Sequence, residues 1–191
     1  MSLFNKNTST SAAPAATNKE NKTMSKSIFG GITKPKAAFA KNYFTPGRYK
    51  VELTKVKVAE SNNPRYKGFP MGLAVFSIVE SAAPSSPSPD SPQPVGAEVS
   101  TTKYFAGPGA DYALRDWRNL CCAILGIDEG TVAWQHLTEE EVSEFEAACD
   151  DIAENPEKYY GKQFLCNCVE RIVEKNGETK RYTNQFYKPL L

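Results

Sequence analysis

An alternation of apolar and polar side chains begins after Pro46-Gly47. Tyr49, Val51 and Leu53 fall on one side of an extended chain, with Arg48, Lys50 and Glu52 on the other. That two-residue period predicts a half-buried strand. The phase slips at Thr54, after which Val56 and Val58 are apolar and Lys55 and Lys57 are interleaved with them. One extra residue near Thr54 restores the faces, so a β-bulge and a sharp bend are expected there. Residues 73–79 read as a second, well-buried strand. A third is predicted over 95–105, with Val99, Thr101 and Lys103 alternating against Ser100, Thr102 and Tyr104. Gly107-Pro108-Gly109 stops it.

The period then changes. Leu114, Trp117, Cys121 and Leu125 recur at helical spacing, with Asp111 as the predicted N-cap and Gly126 as the stop. Thr138-Glu139-Glu140-Glu141 has the form of a capping box and opens a second helix. Its stripe is Val142, Phe145, Cys149 and Ile152, and Asn155-Pro156 ends it. Gly161-Lys162 leads into a fourth strand over 163–173. Asn176-Gly177 is a hairpin signal, and 179–187 is the returning fifth strand, closed by Pro189.

The remaining stretches lack such periods. Residues 62–68 are a loop by composition. Residues 81–94 hold five prolines and five serines and predict a flexible or polyproline-like loop. Residues 1–41 are mostly Ala, Ser, Thr, Asn and Lys. Too few large apolar groups are present to offset the ordering entropy, so a disordered arm is expected, with Phe29, Ile32 and Phe39 able to dock locally. The folded domain is then 42–191. Three strands, a helix pair and two strands make the chain mainly β. The order matches a five-stranded oligonucleotide-binding (OB) type barrel, in which a bent first strand turns a corner. The lack of strict βαβ alternation argues against a doubly wound sheet.

Charge sharpens this picture. The net charge of +1 conceals a basic arm with seven lysines and one glutamate over 1–41, and a stretch with eleven acids and no Lys or Arg over 128–157. The acidic helical insertion 128–157 is expected to lie away from any polyanion and to offer a surface to replication or recombination proteins. A hydrophobic fraction of 40% without a long apolar run predicts a globular protein with no membrane span. With no leader-like start and five cysteines, a reducing cytoplasmic setting with free thiols is expected.

Catalytic patterns are not legible. His136 is the single histidine, which excludes a three-histidine zinc site. Cys121, Cys122, Cys149, Cys166 and Cys168 lack zinc-finger spacing and read as small packing groups, so neither metal nor cofactor is expected. Gly30-Gly31 follows no strand, and no paired-carboxylate or Ser/His/Asp arrangement appears. The chain is read as non-enzymatic.

Cations and aromatics do cluster. Arg65, Tyr66, Lys67 and Phe69 lie in the first inter-strand loop. Lys103, Tyr104 and Phe105 end the third strand, and Lys175, Lys180, Arg181 and Tyr182 lie in or beside the last hairpin. Arg48, Lys55 and Lys57 on the first strand complete the candidate set. In an OB barrel these places line one groove. Cations there meet phosphates, and Tyr66, Phe69, Tyr104 and Tyr182 stack bases at about 1–3 kcal/mol each. The plainer reading makes the same tyrosines rim packing and the lysines a solvated face.

Several short motifs occur in a telling order: Pro46-Gly47-Arg48-Tyr49, Arg65-Tyr66-Lys67-Gly68, Val79-Glu80-Ser81, Val95-Gly96, Tyr160-Gly161-Lys162 and Lys175-Asn176-Gly177, with Phe186 and Pro189. In this order, over about 46–189, the sequence resembles the OB-fold single-stranded DNA-binding proteins of bacteriophages. The resemblance implies coating of single-stranded DNA during replication or recombination in the host cytoplasm. Many replication-type members end in an acidic tail, whereas this sequence ends Lys188-Pro189-Leu190-Leu191; the acidic helix would then recruit partners. The rival from another class is an OB-type protein–protein adaptor. Monomer or dimer, and DNA or RNA, stay open at this stage, since stacking does not read the 2′-hydroxyl.

Overall fold

The computed structural model describes residues 43–175 and 177–190. The basic arm 1–41, Asn176 and the side chain of Lys175 lie outside the described residues. The chain runs β1 (Gly47–Glu60), β2 (Pro70–Ala82), β3 (Glu98–Tyr104), α1 (Ala110–Leu125), α2 (Glu139–Glu154), β4 (Gln163–Lys175) and β5 (Glu178–Pro189), with short 3₁₀ turns between them. The strands form one antiparallel sheet in the order β3-β2-β1-β4-β5. The fold is therefore mainly β, with a five-stranded sheet and two helices.

β1 is the hinge of the sheet. Its first half, Gly47 to Glu52, pairs with β4, while the whole strand pairs with β2. Its register against β2 shifts between Lys50 and Val51 and again between Leu53 and Lys55. The second shift is the bulge that the broken alternation predicts at Thr54, whose hydroxyl donates to the Val75 carbonyl at 3.1 Å. Beyond it, Val56 is buried, but Val58 is 40% exposed, so the apolar series does not continue inward to its end.

The inward side chains of β1, β2, β4 and β5 meet around Phe76, whose ring lies 5.6–5.8 Å from those of Phe44, Phe164 and Tyr187. α1 adds Leu120, Cys121 and Ile124 to this core, and α2 adds Ile152. Each such large side chain contributes about 1.5–3 kcal/mol by leaving water. Gly72 of β2 sits against Trp117 of α1 so closely that an added Cβ would fall 2.6 Å from the indole.

The sheet does not close into a barrel: among the described residues no ladder joins β3 to β5. The expected five-stranded OB-type barrel is thus corrected to an open sheet, and α1 supplies the reason. The Asn119 amide accepts from the Tyr187 N–H at 2.7 Å and donates to the Tyr187 carbonyl at 3.1 Å. It thereby takes both backbone groups that a neighbouring strand would use. Lys103 of β3 pairs with Asp116 of α1 at 2.7 Å, and Thr101 and Gln185 meet across the seam at 3.4 Å.

Local expectations meet mixed outcomes. The Thr138–Glu141 capping box is present in both directions. Asp111, in contrast, is not the N-cap of α1. Gly109 is, at φ 91°, a left-handed geometry that favours glycine, and Asp111 lies in the first turn. Of the predicted stripe, Trp117, Cys121 and Leu125 pack on the core while Leu114 is half exposed, and Leu120 to Ile124 are all buried. β2 runs through Ser81 and Ala82, which composition assigns to a loop, and β3 begins at Glu98 rather than Val95. The Pro/Ser-rich segment is pinned to the sheet. Buried Gln93 donates from its N–H to the Tyr49 hydroxyl and from its amide to the Tyr43 carbonyl, both at 3.0 Å, and accepts from the Ser81 hydroxyl at 2.6 Å. Among the described residues no helix is long and apolar enough to cross a membrane.

Candidate nucleic-acid interface

The loop from β1 to β2 is built by local hydrogen bonds. The Asn63 side chain accepts from the Arg65 N–H at 3.0 Å and caps a 3₁₀ turn over Pro64–Tyr66. Ser61 and Phe69 close the loop behind it, with the Ser61 N–H on the Phe69 carbonyl at 2.9 Å. The Tyr66 ring is thereby held against Tyr104 at the end of β3, centroids 4.3 Å apart and planes 26° from parallel. Phe69 lies 6.2 Å from Tyr66, and the Arg65 guanidinium sits 5.5 Å from the same ring. All three rings are part-buried.

Strand register extends this cluster across the sheet. Lys57 pairs with Leu73, which pairs with Thr102; Lys55 pairs with Val75, which pairs with Ser100; Met71 pairs with Tyr104. These positions share the outer face of β1-β2-β3, opposite the core face that carries Val56, Ala74 and Val99. Lys55, Lys57 and Tyr104 share this face by register, Tyr66, Phe69 and Arg65 join it through their ring contacts, and Lys67 follows in the same loop. None of these four cations takes part in an ion pair among the described residues. Leu73, Val75 and Thr102 are additions that the sequence reading missed; the two-residue period of β2 and β3 carried the signal.

Of the other candidates, Lys103 lines the same concavity as Tyr66, Phe69 and Tyr104. Lys103 is only 18% exposed and held by Asp116, and Phe105 packs edge-on against Trp117 at 5.5 Å, so both brace α1. Arg181 contacts Glu170 and lies 3.8 Å from Asp90, and Lys180 lies 3.4 Å from Glu178. Tyr182 is exposed on the other side of the same hairpin, opposite Arg171 in register. The Lys175 side chain is outside the described residues. Arg48 donates to the Ala83 carbonyl at 3.1 Å and pairs in register with Asn167 of β4. Arg48 stands on the same non-core side of β1 as Lys55 and Lys57, but in the half that pairs with β4, ahead of the bulge at Thr54.

The cysteines behave as packing groups. Cys166 and Cys168 lie 3.5 Å apart in the core, and burial pushes the Cys166 thiol up. Burial, helped by Glu129, pushes Cys122 up to about 12. The hydrogen bond with Cys149 raises the Cys121 thiol and lowers its partner. Among the described residues no group of His, Cys, Asp and Glu is arranged to hold a metal ion.

The acidic stretch divides. Glu129 pairs with Arg118 at 2.8 Å, and Asp151 with Lys158 at 2.8 Å. Glu139, Glu140, Glu144, Glu146, Asp150 and Glu154 are exposed on α2 and enter no ion pair among the described residues. No protein-family model matches the sequence, and a search of curated proteins returns no relative.

Proposed function

We propose that the protein binds single-stranded DNA, without enzymatic activity and largely without sequence preference, as the phage OB-fold proteins it resembles do in replication or recombination. The observation that carries this reading is the Tyr66–Tyr104 stack, with Lys55 and Lys57 on the same sheet face and Arg65 and Lys67 in the adjoining loop, none of them ion-paired among the described residues. Bases extend the aromatic stack, while Lys55, Lys57, Arg65 and Lys67 neutralise phosphates and release their counterions. Four such contacts give a slope of log affinity against log salt of about −3. The strand order supports an OB-type assignment, since a partly open five-stranded barrel binds along its second and third strands and its first loop. Replacing Tyr66 and Phe69 together by alanine is expected to weaken poly-dT binding at least tenfold, on the order of one lost stacking contact. Unchanged affinity in that variant would remove the stacking role.

The adaptor reading has its own support in the exposed acids of α2, a surface suited to a basic partner. It predicts a stable pull-down partner that is lost when Glu139, Glu140 and Glu144 are reversed to lysine, and no salt-dependent DNA binding by the wild type.

A further inference from the structure

The outer face of β1, β4 and β5 carries a second set of cations and aromatics. A trough of about 730 Å³ lies there, lined by Arg48, Lys50, Leu165, Asn167, Phe186 and Lys188 among others. Register sets the order. Along β5, Lys180, Tyr182, Asn184, Phe186 and Lys188 occupy alternate positions, opposite Val173, Arg171, Val169, Asn167 and Leu165 of β4. Arg48 and Lys50 of β1 stand on the far side of Asn167 and Leu165. Tyr182 and Phe186 are 52% and 51% exposed, on a strand whose opposite face is buried only at Tyr187 and Pro189. They are about 13 Å apart along the strand, too far for one base to bridge, so each is a separate stacking platform.

The charge on this face is mixed, with a small basic excess. Arg48, Lys50, Arg171, Lys180 and Lys188 stand among Glu80, Glu178 and, at the margin, Glu52. Glu80 and Glu178 approach Lys50 and Lys180 at 3.3 and 3.4 Å but are themselves more than two-thirds exposed. Lys188 lies 3.9 Å from Asp128, and Arg48 and Arg171 enter no ion pair among the described residues. The Asn167 Oδ1 is shielded from solvent yet has no hydrogen-bond partner among the described residues.

From these observations we infer that the β1-β4-β5 face is a second contact surface for single-stranded nucleic acid. A strand leaving the Tyr66 cluster continues onto this trough, with its bases on Phe186 and Tyr182. Cations alternating with exposed rings favour a polyanion with flat bases over an apolar protein partner. The inference rests on the single-strand-binding reading and extends it, lengthening the strand that one molecule covers.

The test uses the full chain with oligothymidylates of about 8 and about 30 nucleotides, the first within and the second beyond the span of one OB-type path. Two variants are compared with wild type: Phe186→Ala, and Lys50→Gln with Lys188→Gln. Each is expected to lose about tenfold in affinity for the longer strand and to bind the shorter one as before. The double lysine variant should also lower the salt slope by about 1.4 on the longer strand. Wild-type affinity of both variants for the longer strand overturns the second surface. So does equal loss on both lengths with an unchanged circular dichroism spectrum, because the trough would then be part of a single path. Failure of wild type to bind either length refutes the underlying reading, a result distinct from variants that match a binding wild type.

Discussion

Asp151 shows how one side chain sets a junction. Its carboxylate accepts from Lys158 Nζ at 2.8 Å, the Tyr159 hydroxyl at 2.7 Å and the Asn155 amide at 2.7 Å, tying the end of α2 to the turn that feeds β4. The Lys158 bond, followed by that of Tyr159, holds the Asp151 carboxyl down at about 2. The unfolded chain binds this proton near pH 4 and the folded one only near pH 2. Stability from the ionised group is therefore full above about pH 4 and disappears as pH falls through about 2. Asp151→Asn should flatten the acid limb of the stability–pH curve in that window, read by urea denaturation at stepped pH. A limb identical to wild type would show that the three bonds do not bind the charge. The thiols contrast with this carboxylate. Raised by burial, Cys122 and Cys166 stay protonated at neutral pH and fill space.

At the scale of elements, α1 is what keeps the sheet open. Its Asn119 side chain stands in for a strand at the β5 edge, and Asp116 draws Lys103 away from solvent. Asn119→Ala leaves a backbone donor and acceptor of Tyr187 unpaired at a cost of about 1–3 kcal/mol. Faster hydrogen exchange at the Tyr187 amide should accompany the loss, and wild-type protection there would show that the amide is not the seam. This seam was illegible in the sequence, since Asn119 and Tyr187 are 68 residues apart and neither forms a recognisable pattern. Features fixed by neighbours in the chain were legible: the bulge at Thr54, the Thr138–Glu141 capping box and the hairpin turn with Gly177 at φ 76°. The same limit applies to the interface. Tyr66, Phe69 and Tyr104 were readable as a loop and strand end, but the loss of Lys103 to Asp116 and of Phe105 to Trp117 depends on where α1 lands. Gln93 sits within a Pro/Ser-rich run, and composition gives no hint that its amide is buried beneath β1.

For the whole molecule, a near-zero net charge conceals opposed surfaces. The β1-β2-β3 face presents cations beside stacked tyrosines and α2 presents exposed acids, neither set ion-paired among the described residues. Such separation attracts a polyanion to one side within a Debye length of about 8–10 Å and repels it from the other. A second set of cations and rings on β1, β4 and β5 extends the surface proposed for a flexible strand. Single strands, with exposed base faces, gain stacking that duplexes cannot. Fluorescence anisotropy with labelled poly-dT and a matched duplex, at low and moderate salt, tests this most directly. Tight poly-dT binding, weak duplex binding and a steep loss of affinity with salt are expected. Absence of poly-dT binding at low salt would contradict single-strand binding and leave the Tyr66 cluster as packing at the rim of the sheet.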